Sequence, residues 1–246
     1  MSNAFAADLH CHILPGLDDG AGDRDDAIAM ARQAQDDGIG AICATPHIRS
    51  DHDVAIAELP SRRAQLAKAI ADAGVRTQIL PGGEVSVNVL AQLSDNELTA
   101  VTLGGSGRWI LLEPASGPLD DRLDAAVGDL RARGFRSLIA HPERHPAPDL
   151  VPRLRRLIAQ GALVQCTAAY LTDTAAAPAM MALARAGVLH LLGSDSHSSR
   201  AGRPVSLSGA LEALTTIETV SAHLDWIART GPAAIIRGEE LTPPFW

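Results

Sequence analysis

"DLHCHILPGLDDG" (residues 8–20) sets Asp8, His10, His12, Asp18 and Asp19 beside the first apolar run of the chain. Neither packing nor exposure to water accounts for a His-x-His pair there. On a strand, alternate residues share a face, so His10 and His12 can grip one ion. A strand that ends in ligands and turns at once through Gly and Asp suggests a β/α unit with its chemistry at the C-terminal edge. The fold then depends on whether other apolar runs end in the same way.

They do. Strand-like runs occur at "FAADLH" (5–10), "AICAT" (41–45), "TQIL" (77–80), "WILLE" (109–113), "SLIAH" (137–141), "ALVQCT" (162–167) and "LHLLGSD" (189–195). Helical stretches separate them at 24–37, 61–73, 119–133, 149–160 and 174–186. These finish at Gly38, Gly74, Gly134, Gly161 and Gly187, residues suited to a left-handed cap. Short strands joined through helices pair in parallel, with both sheet faces covered. Seven units in sequence predict an α/β fold, a seven-stranded TIM-like β/α barrel, with an open doubly wound sheet as the alternative. The 246 residues contain no linker or repeat, which suggests a single domain over 1–246.

The run ends carry the polar residues. His10 and His12 close the first run, and His47 in "TPH" the second. Glu84 in "PGGE" follows the third, Glu113 ends the fourth, and His141 in "HPER" ends the fifth. Asp195 and His197 in "SDSH" end the seventh, while the sixth offers nothing obvious. In a barrel these ends share one face, so residues far apart in sequence converge. Imidazoles mixed with carboxylates, without thiolate, suit manganese, iron or zinc. There are more ligands than one tetrahedral ion needs, so two or three ions are expected, bridged by carboxylates. Such a cluster can hold a hydroxide and clamp phosphoryl oxygens. Arg144 in "HPER" and Arg203 in "GRP" are candidate phosphate forks. His52, His145, His190 and His223 have no partner spacing and are left out.

Composition narrows the classes. With 21 basic and 29 acidic residues the net charge is −8, against non-specific nucleic-acid or anionic-membrane binding. No apolar run is long enough to span a membrane, and no basic-then-apolar leader opens the chain. Cys11, Cys43 and Cys166 lie in or beside apolar runs as expected of buried thiols, which points to the cytoplasm. "CATPHIR" (43–49) has the C-x5-R spacing of thiolate phosphatases. Pro46 removes an N–H from that loop and no glycine relieves it, so the match reads as chance. The tail "TPPFW" (242–246) offers two aromatics to cap the barrel or a neighbour.

"DLHCHILPGLDDGAGD", "ATPH", "PGGE", "LLEP", "AHPER" and "GSDSH" resemble the polymerase-and-histidinol-phosphatase (PHP) superfamily. Within it they look most like the bacterial manganese-dependent protein-tyrosine phosphatases of capsule and exopolysaccharide loci. The likeness runs from about residue 8 to about 204 and implies a distorted seven-stranded β/α barrel with three metals. It implies His10, His12, Glu84 and Asp195 around one ion, and Glu84, Glu113 and His141 around another. Asp19, His47 and His197 serve the third or act near the leaving group. Arg144 matches a phosphate ligand, and Arg203 matches the second, with Arg200 as its alternative. Asp18 is taken as structural, and Asp8 as orienting a ligand histidine. A metal-bridging hydroxide would attack phosphorus in line, with Asp19 or His197 protonating the leaving phenolate. Ile48 and Pro114 depart from the family, which has a histidine and an aromatic there.

The implied substrate is a phosphotyrosine-bearing protein, a bacterial tyrosine kinase of polysaccharide export. The alternative is a small-molecule phosphatase such as histidinol-phosphate phosphatase, which needs a deep pocket closed by loops. Short strand-to-helix loops favour an open rim. A non-enzymatic relative would have lost ligands, and none is lost.

Overall fold

The computed structural model describes residues 6–244; Phe5 of the first run, and Phe245 and Trp246 of the tail, lie outside the described residues. The fold is mixed α/β with parallel pairing throughout. Its strands are β1 (Ala6–Cys11), β2 (Ile39–Ala44), β3 (His47–Ile48), β4 (Gln78–Leu80), β5 (Glu84–Ser86), β6 (Trp109–Glu113), β7 (Arg136–Ala140), β8 (Leu163–Thr167) and β9 (Leu191–Gly193). They form a sheet of order β1-β2-β4 and a sheet of order β3-β5-β6-β7-β8-β9.

Two of the apolar runs continue beyond their expected ends. The second resumes as β3 after Thr45–Pro46, and the third as β5 after Pro81, Gly82 and Gly83. Proline has no N–H to give a ladder, so pairing stops and restarts with a new neighbour. The first sheet thereby hands over to the second. At the other end β1 meets β9: a parallel bridge joins Cys11 to Ser196. The His12 N–H donates to Ser196 O at 2.9 Å, and the Asp195 N–H to His10 O at 2.8 Å.

The five expected helices form as Arg24–Asp36, Leu59–Asp72, Asp121–Ala132, Leu150–Ala159 and Ala177–Arg185. Each is followed by its expected glycine with positive φ, for example 82° at Gly38 and 89° at Gly134. A side chain there would meet the next carbonyl, which is why glycine stops the helix. The helices pack on the outer faces of the strands over one large apolar core. A smaller inner core takes Leu9, Cys43, Leu111, Leu138, Leu163 and Leu191 from six different strands. Burying each leucine there stabilises the fold by about 1.5–3 kcal/mol. The polar residues of the site come later along these strands, so the inner core fixes the ends that carry them.

Candidate metal centre

The interrupted strands give the site its geometry. Restarted pairing sets His47 opposite Glu84, and Ser86 opposite Glu113. The backbone is also forced. His141 and Asp195 adopt left-handed conformations, with φ of 34° and 50°. Non-glycine residues held there store about 1–3 kcal/mol each, a cost that clusters at functional sites. Gly193 is needed for room: a Cβ would fall 2.7 Å from Gln165 Nε2 and 2.9 Å from His10 Cβ. At Gly20 a Cβ would fall 2.2 Å from the carbonyl oxygen of His12.

All nine residues expected as ligands converge. Ligand atoms lie within 4.8 Å of one another in four overlapping groups: His10–His12–Asp195, His10–Glu84–His141, His47–Glu84–Glu113 and His12–Asp19–His47–His197. Glu84 is central. Its Oε1 lies 2.8 Å from His141 Nε2 and 3.4 Å from His10 Nε2. Its Oε2 lies 2.9 Å from His47 Nδ1 and 3.4 Å from His12 Nε2. Asp195 Oδ1 stands 3.4 Å from His10 Nε2 and 3.7 Å from His12 Nε2. Asp19 is at the rim, its side chain 59% exposed, with Oδ1 3.4 Å from both His47 Nε2 and His197 Nε2. Glu113 groups with His47 and Glu84, whereas His141 groups with His10 and Glu84.

The orienting residues differ from those expected. Asp18, taken as structural, accepts from His12 Nδ1 at 2.9 Å, from the His47 N–H at 2.9 Å and, through its other oxygen, from the Gly20 N–H at 2.9 Å. It therefore fixes one candidate ligand ring and the backbone of another. Asp8, expected to hold a ring, accepts instead from the backbone N–H groups of His10 and Ser194. The His10 ring is held by Gln165 of β8, with Nδ1 2.8 Å from Oε1. The sixth run thus contributes after all. The only sign of Gln165 was an amide in an otherwise apolar strand. Asp26 was also missed. It accepts from the Ser198 and Ser199 hydroxyls and the Ser199 N–H, which ties down the loop after His197.

Electrostatics follow from burial and pairing. Burial opposes charge on His12, but hydrogen bonds with Asp18 and Glu84 outweigh it and lift the imidazole to about 9. Burial would raise Asp18, yet its bond to His12 brings it down to about 2. Glu84 is likewise held well below its ordinary range, against its burial, by the His10 charge and by hydrogen bonds with His10, His12 and His141. Burial and then the charge of Glu84 raise Glu113. Burial lowers His141, and burial with the neighbouring His12 charge takes His197 to about 3. Ionised Glu84 and Asp18 thus hold a proton on His12, which a bound cation would displace, while the lowered His141 and His197 offer unprotonated nitrogens.

Arg144 and Arg203 both reach Asp195. Arg144 pairs with Oδ2, and Arg203 Nη2 lies 3.1 Å from the same oxygen. Arg200 turns away to Asp23, 3.0 Å from both carboxylate oxygens. Two of the histidines left out lie against the cluster. His52 stacks on His47 with ring centroids 5.2 Å apart, and His145 stacks on His141 at 6.4 Å. Cys43 is 1% exposed in the inner core, and burial pushes its thiol up to about 12. No thiolate is available there for attack. Ile48 turns from the cluster into the outer core.

A family model described as capsular polysaccharide synthesis, CpsB/CapC, matches residues 6–237. The chain belongs to the CpsB/CapC family. This CpsB/CapC chain is 32% identical over 201 residues to the tyrosine-protein phosphatase YwqE of Bacillus subtilis (strain 168), covering 78% of this chain and 77% of that protein. It is 26% identical over 198 residues to the putative tyrosine-protein phosphatase CapC of Staphylococcus aureus, covering 78% and 76%. Its fold matches a chain from the crystal structures of YwqE from B. subtilis and CpsB from Streptococcus pneumoniae, described as unique metal-dependent tyrosine phosphatases. The TM-score is 0.81 at 28% identity, over 97% of this chain and 98% of that one.

The residues of this CpsB/CapC member fit metal ions. Asp195 Oδ1 is buried without a hydrogen-bond partner, and Glu84 Oε2 and His47 Nδ1, buried 2.9 Å apart, face one another at angles poor for a hydrogen bond. Buried polar atoms rarely go unpaired, and cations coordinated there would satisfy them. Among the described residues no helix is long and apolar enough to cross a membrane.

Proposed function

We propose that this protein is a metal-dependent phosphotyrosine-protein phosphatase of one catalytic domain over residues 1–246. The observation that carries the reading is the nine-residue cluster around buried Glu84, in a chain whose relatives are named tyrosine-protein phosphatases. The interrupted pairs β2–β3 and β4–β5 count as single staves in this reading. That gives seven in a distorted TIM-like barrel of PHP type, closed between β1 and β9.

His10, His12, Asp195 and Glu84 are proposed to hold one ion, and Glu84 with His141 and Glu113 a second, Glu113 moving to it from its place beside His47. Asp19, His47 and His197 hold a third. Manganese is the first candidate, with iron and zinc as alternatives, since the donors are imidazole and carboxylate without thiolate. Bound ions would supply an activated water and neutralise phosphoryl charge.

The chain's own groups do the rest. Arg144 and Arg203 present guanidinium forks to the phosphoryl oxygens, released from Asp195 once a cation engages that carboxylate. In the alternative to a third ion, Asp19 and His197, which face one another at the rim, would pass a proton from solvent to the leaving oxygen. A phenol with a pKa of about 10 leaves with little such help. The exposure of Asp19 at the edge of the cluster supports a protein substrate, and the family's link to capsular polysaccharide synthesis supports a tyrosine kinase of polysaccharide export as the partner. Three buried free cysteines fit a cytoplasmic setting.

The test is phosphate release from a phosphotyrosine peptide and from histidinol phosphate by manganese-loaded protein. Turnover of the peptide alone is expected. Turnover of histidinol phosphate alone would transfer the protein to small-molecule chemistry.

A further inference from the structure

A second concavity opens beside the metal-ligand cluster. A cleft of about 640 Å³ lies between residues 48–57 and residues 89–100. Its inner end is shared with the site. His52, on its wall, stacks on His47 with the ring planes 12° apart. Arg49, on the same wall, reaches Glu113, with Nη1 3.1 Å from Oε1. The cleft therefore begins one ring's thickness from a candidate ligand.

Its lining mixes apolar side chains with the neutral polar groups of Ser50, Gln92 and Asn96. Val54, Ile56 and Leu93 are half-buried: they pack on the outer core from one side and leave their other side to the cleft. The charged groups beside them are taken. Arg49 forks onto Asp51 at 2.6 and 2.8 Å, and Glu97 closes a capping box with Ser94. Arg49 and Glu97 being paired, a charged occupant would meet only neutral polar groups in place of an opposite charge, whereas a hydrocarbon side chain would leave water for Val54, Ile56 and Leu93.

We propose that this cleft binds an apolar side chain of the substrate polypeptide close to its phosphotyrosine. The inference rests on the phosphotyrosine-phosphatase reading above. With the phosphate at the cluster, the tyrosine ring stands between the ions and the substrate backbone. The neighbouring residues then cross the rim formed by His52 and Arg49, and the cleft lies directly beyond it. A small phosphomonoester has no such extension. The cleft would thus select among phosphotyrosine sites without taking part in the chemistry.

The experiment uses manganese-loaded protein and phosphotyrosine peptides that differ only in the flanking positions. Leucine is walked through those positions against serine, and free phosphotyrosine is run alongside. Leucine at one or two positions is expected to raise kcat/KM by roughly tenfold over serine, through KM, as an apolar side chain leaving water does. In Ile56→Asp that preference is expected to fall to about one, and in Leu93→Ser to shrink by several-fold, with thermal unfolding confirming that both variants fold. Equal turnover of leucine and serine peptides by the wild-type protein would overturn the proposal. So would a preference that survives both substitutions. Sedimentation showing a self-association that Ile56→Asp abolishes would make the cleft a contact between copies and overturn it as well. Failure to hydrolyse even free phosphotyrosine would remove the phosphatase reading itself, a separate result.

Discussion

Asp18→Asn tests how the metal centre is oriented. The Asp18 side chain is 1% exposed and receives three donors, His12 Nδ1 and the N–H groups of His47 and Gly20, each at 2.9 Å. As an acceptor-only carboxylate it selects the His12 tautomer with the proton on Nδ1. Nε2, facing Glu84 and Asp195, is then the nitrogen that gives up its proton when a cation binds. Asparagine keeps the shape but replaces one oxygen with an NH2 donor. If the NH2 faces Gly20, two N–H groups collide. If it faces His12 and His47, it meets the His47 N–H and draws the imidazole into the tautomer whose Nε2 carries hydrogen and cannot bind a metal. Either arrangement strands a buried donor, at about 1–3 kcal/mol. Loss of such an orienting partner typically costs about 10–100-fold in metal affinity or activity. The assay is calorimetric titration of metal-stripped protein with manganese, followed by phosphate release. Asp18→Asn is expected to bind manganese about 10–100-fold more weakly and to fold normally. A variant with wild-type affinity and rate would refute the orienting role.

Other outcomes follow from the same geometry. Arg49→Ala frees the Glu113 oxygen that now lies 3.1 Å from Arg49 Nη1; manganese affinity should fall by about tenfold and recover partly in Arg49→Lys, measured by the same titration. Iodoacetamide at pH 8 should leave activity intact, because burial holds the Cys43 thiol near 12; inactivation that tracks Cys43 labelling would contradict this. His190 is buried and drawn from 6.5 down to about 4, mainly by its burial, so the folded state resists its protonation. Its stabilising contribution is full above pH 6.5 and is lost as pH falls toward 4. By then the loss reaches about 3 kcal/mol. Urea unfolding of wild type and His190→Gln should show a steeper acid decline in the wild type, and parallel curves would count against it.

Much of this was readable in the sequence because it is local. Apolar runs of strand length, glycines one step past each helix and polar residues at run ends are all patterns within a few positions. They lead to parallel strands and to the nine residues that converge on Glu84. What the sequence hid depends on contacts across the fold. Gln165 is an amide inside an apolar strand, and only the approach of β1 through the gap at Gly193 shows that it holds His10. Asp18 and Asp8 are both aspartates near His-x-His. Their roles separate only once the turn folds back and puts Asp18, not Asp8, on a ring. Proline in "TPH" and "PGG" marked turns, but not that the strands resume beyond them with new neighbours. The grouping of Glu113 with His47 also depends on that restarted pairing.

The central claim is that the clustered histidines and carboxylates, not a cysteine, make this protein a phosphotyrosine phosphatase. The most direct measurement is phosphate release from a phosphotyrosine peptide by metal-stripped protein as manganese is added back in steps. No turnover is expected without metal, and recovery is expected to saturate at two or three equivalents. Turnover that survives stripping, and disappears when Cys43 is alkylated, would contradict the claim.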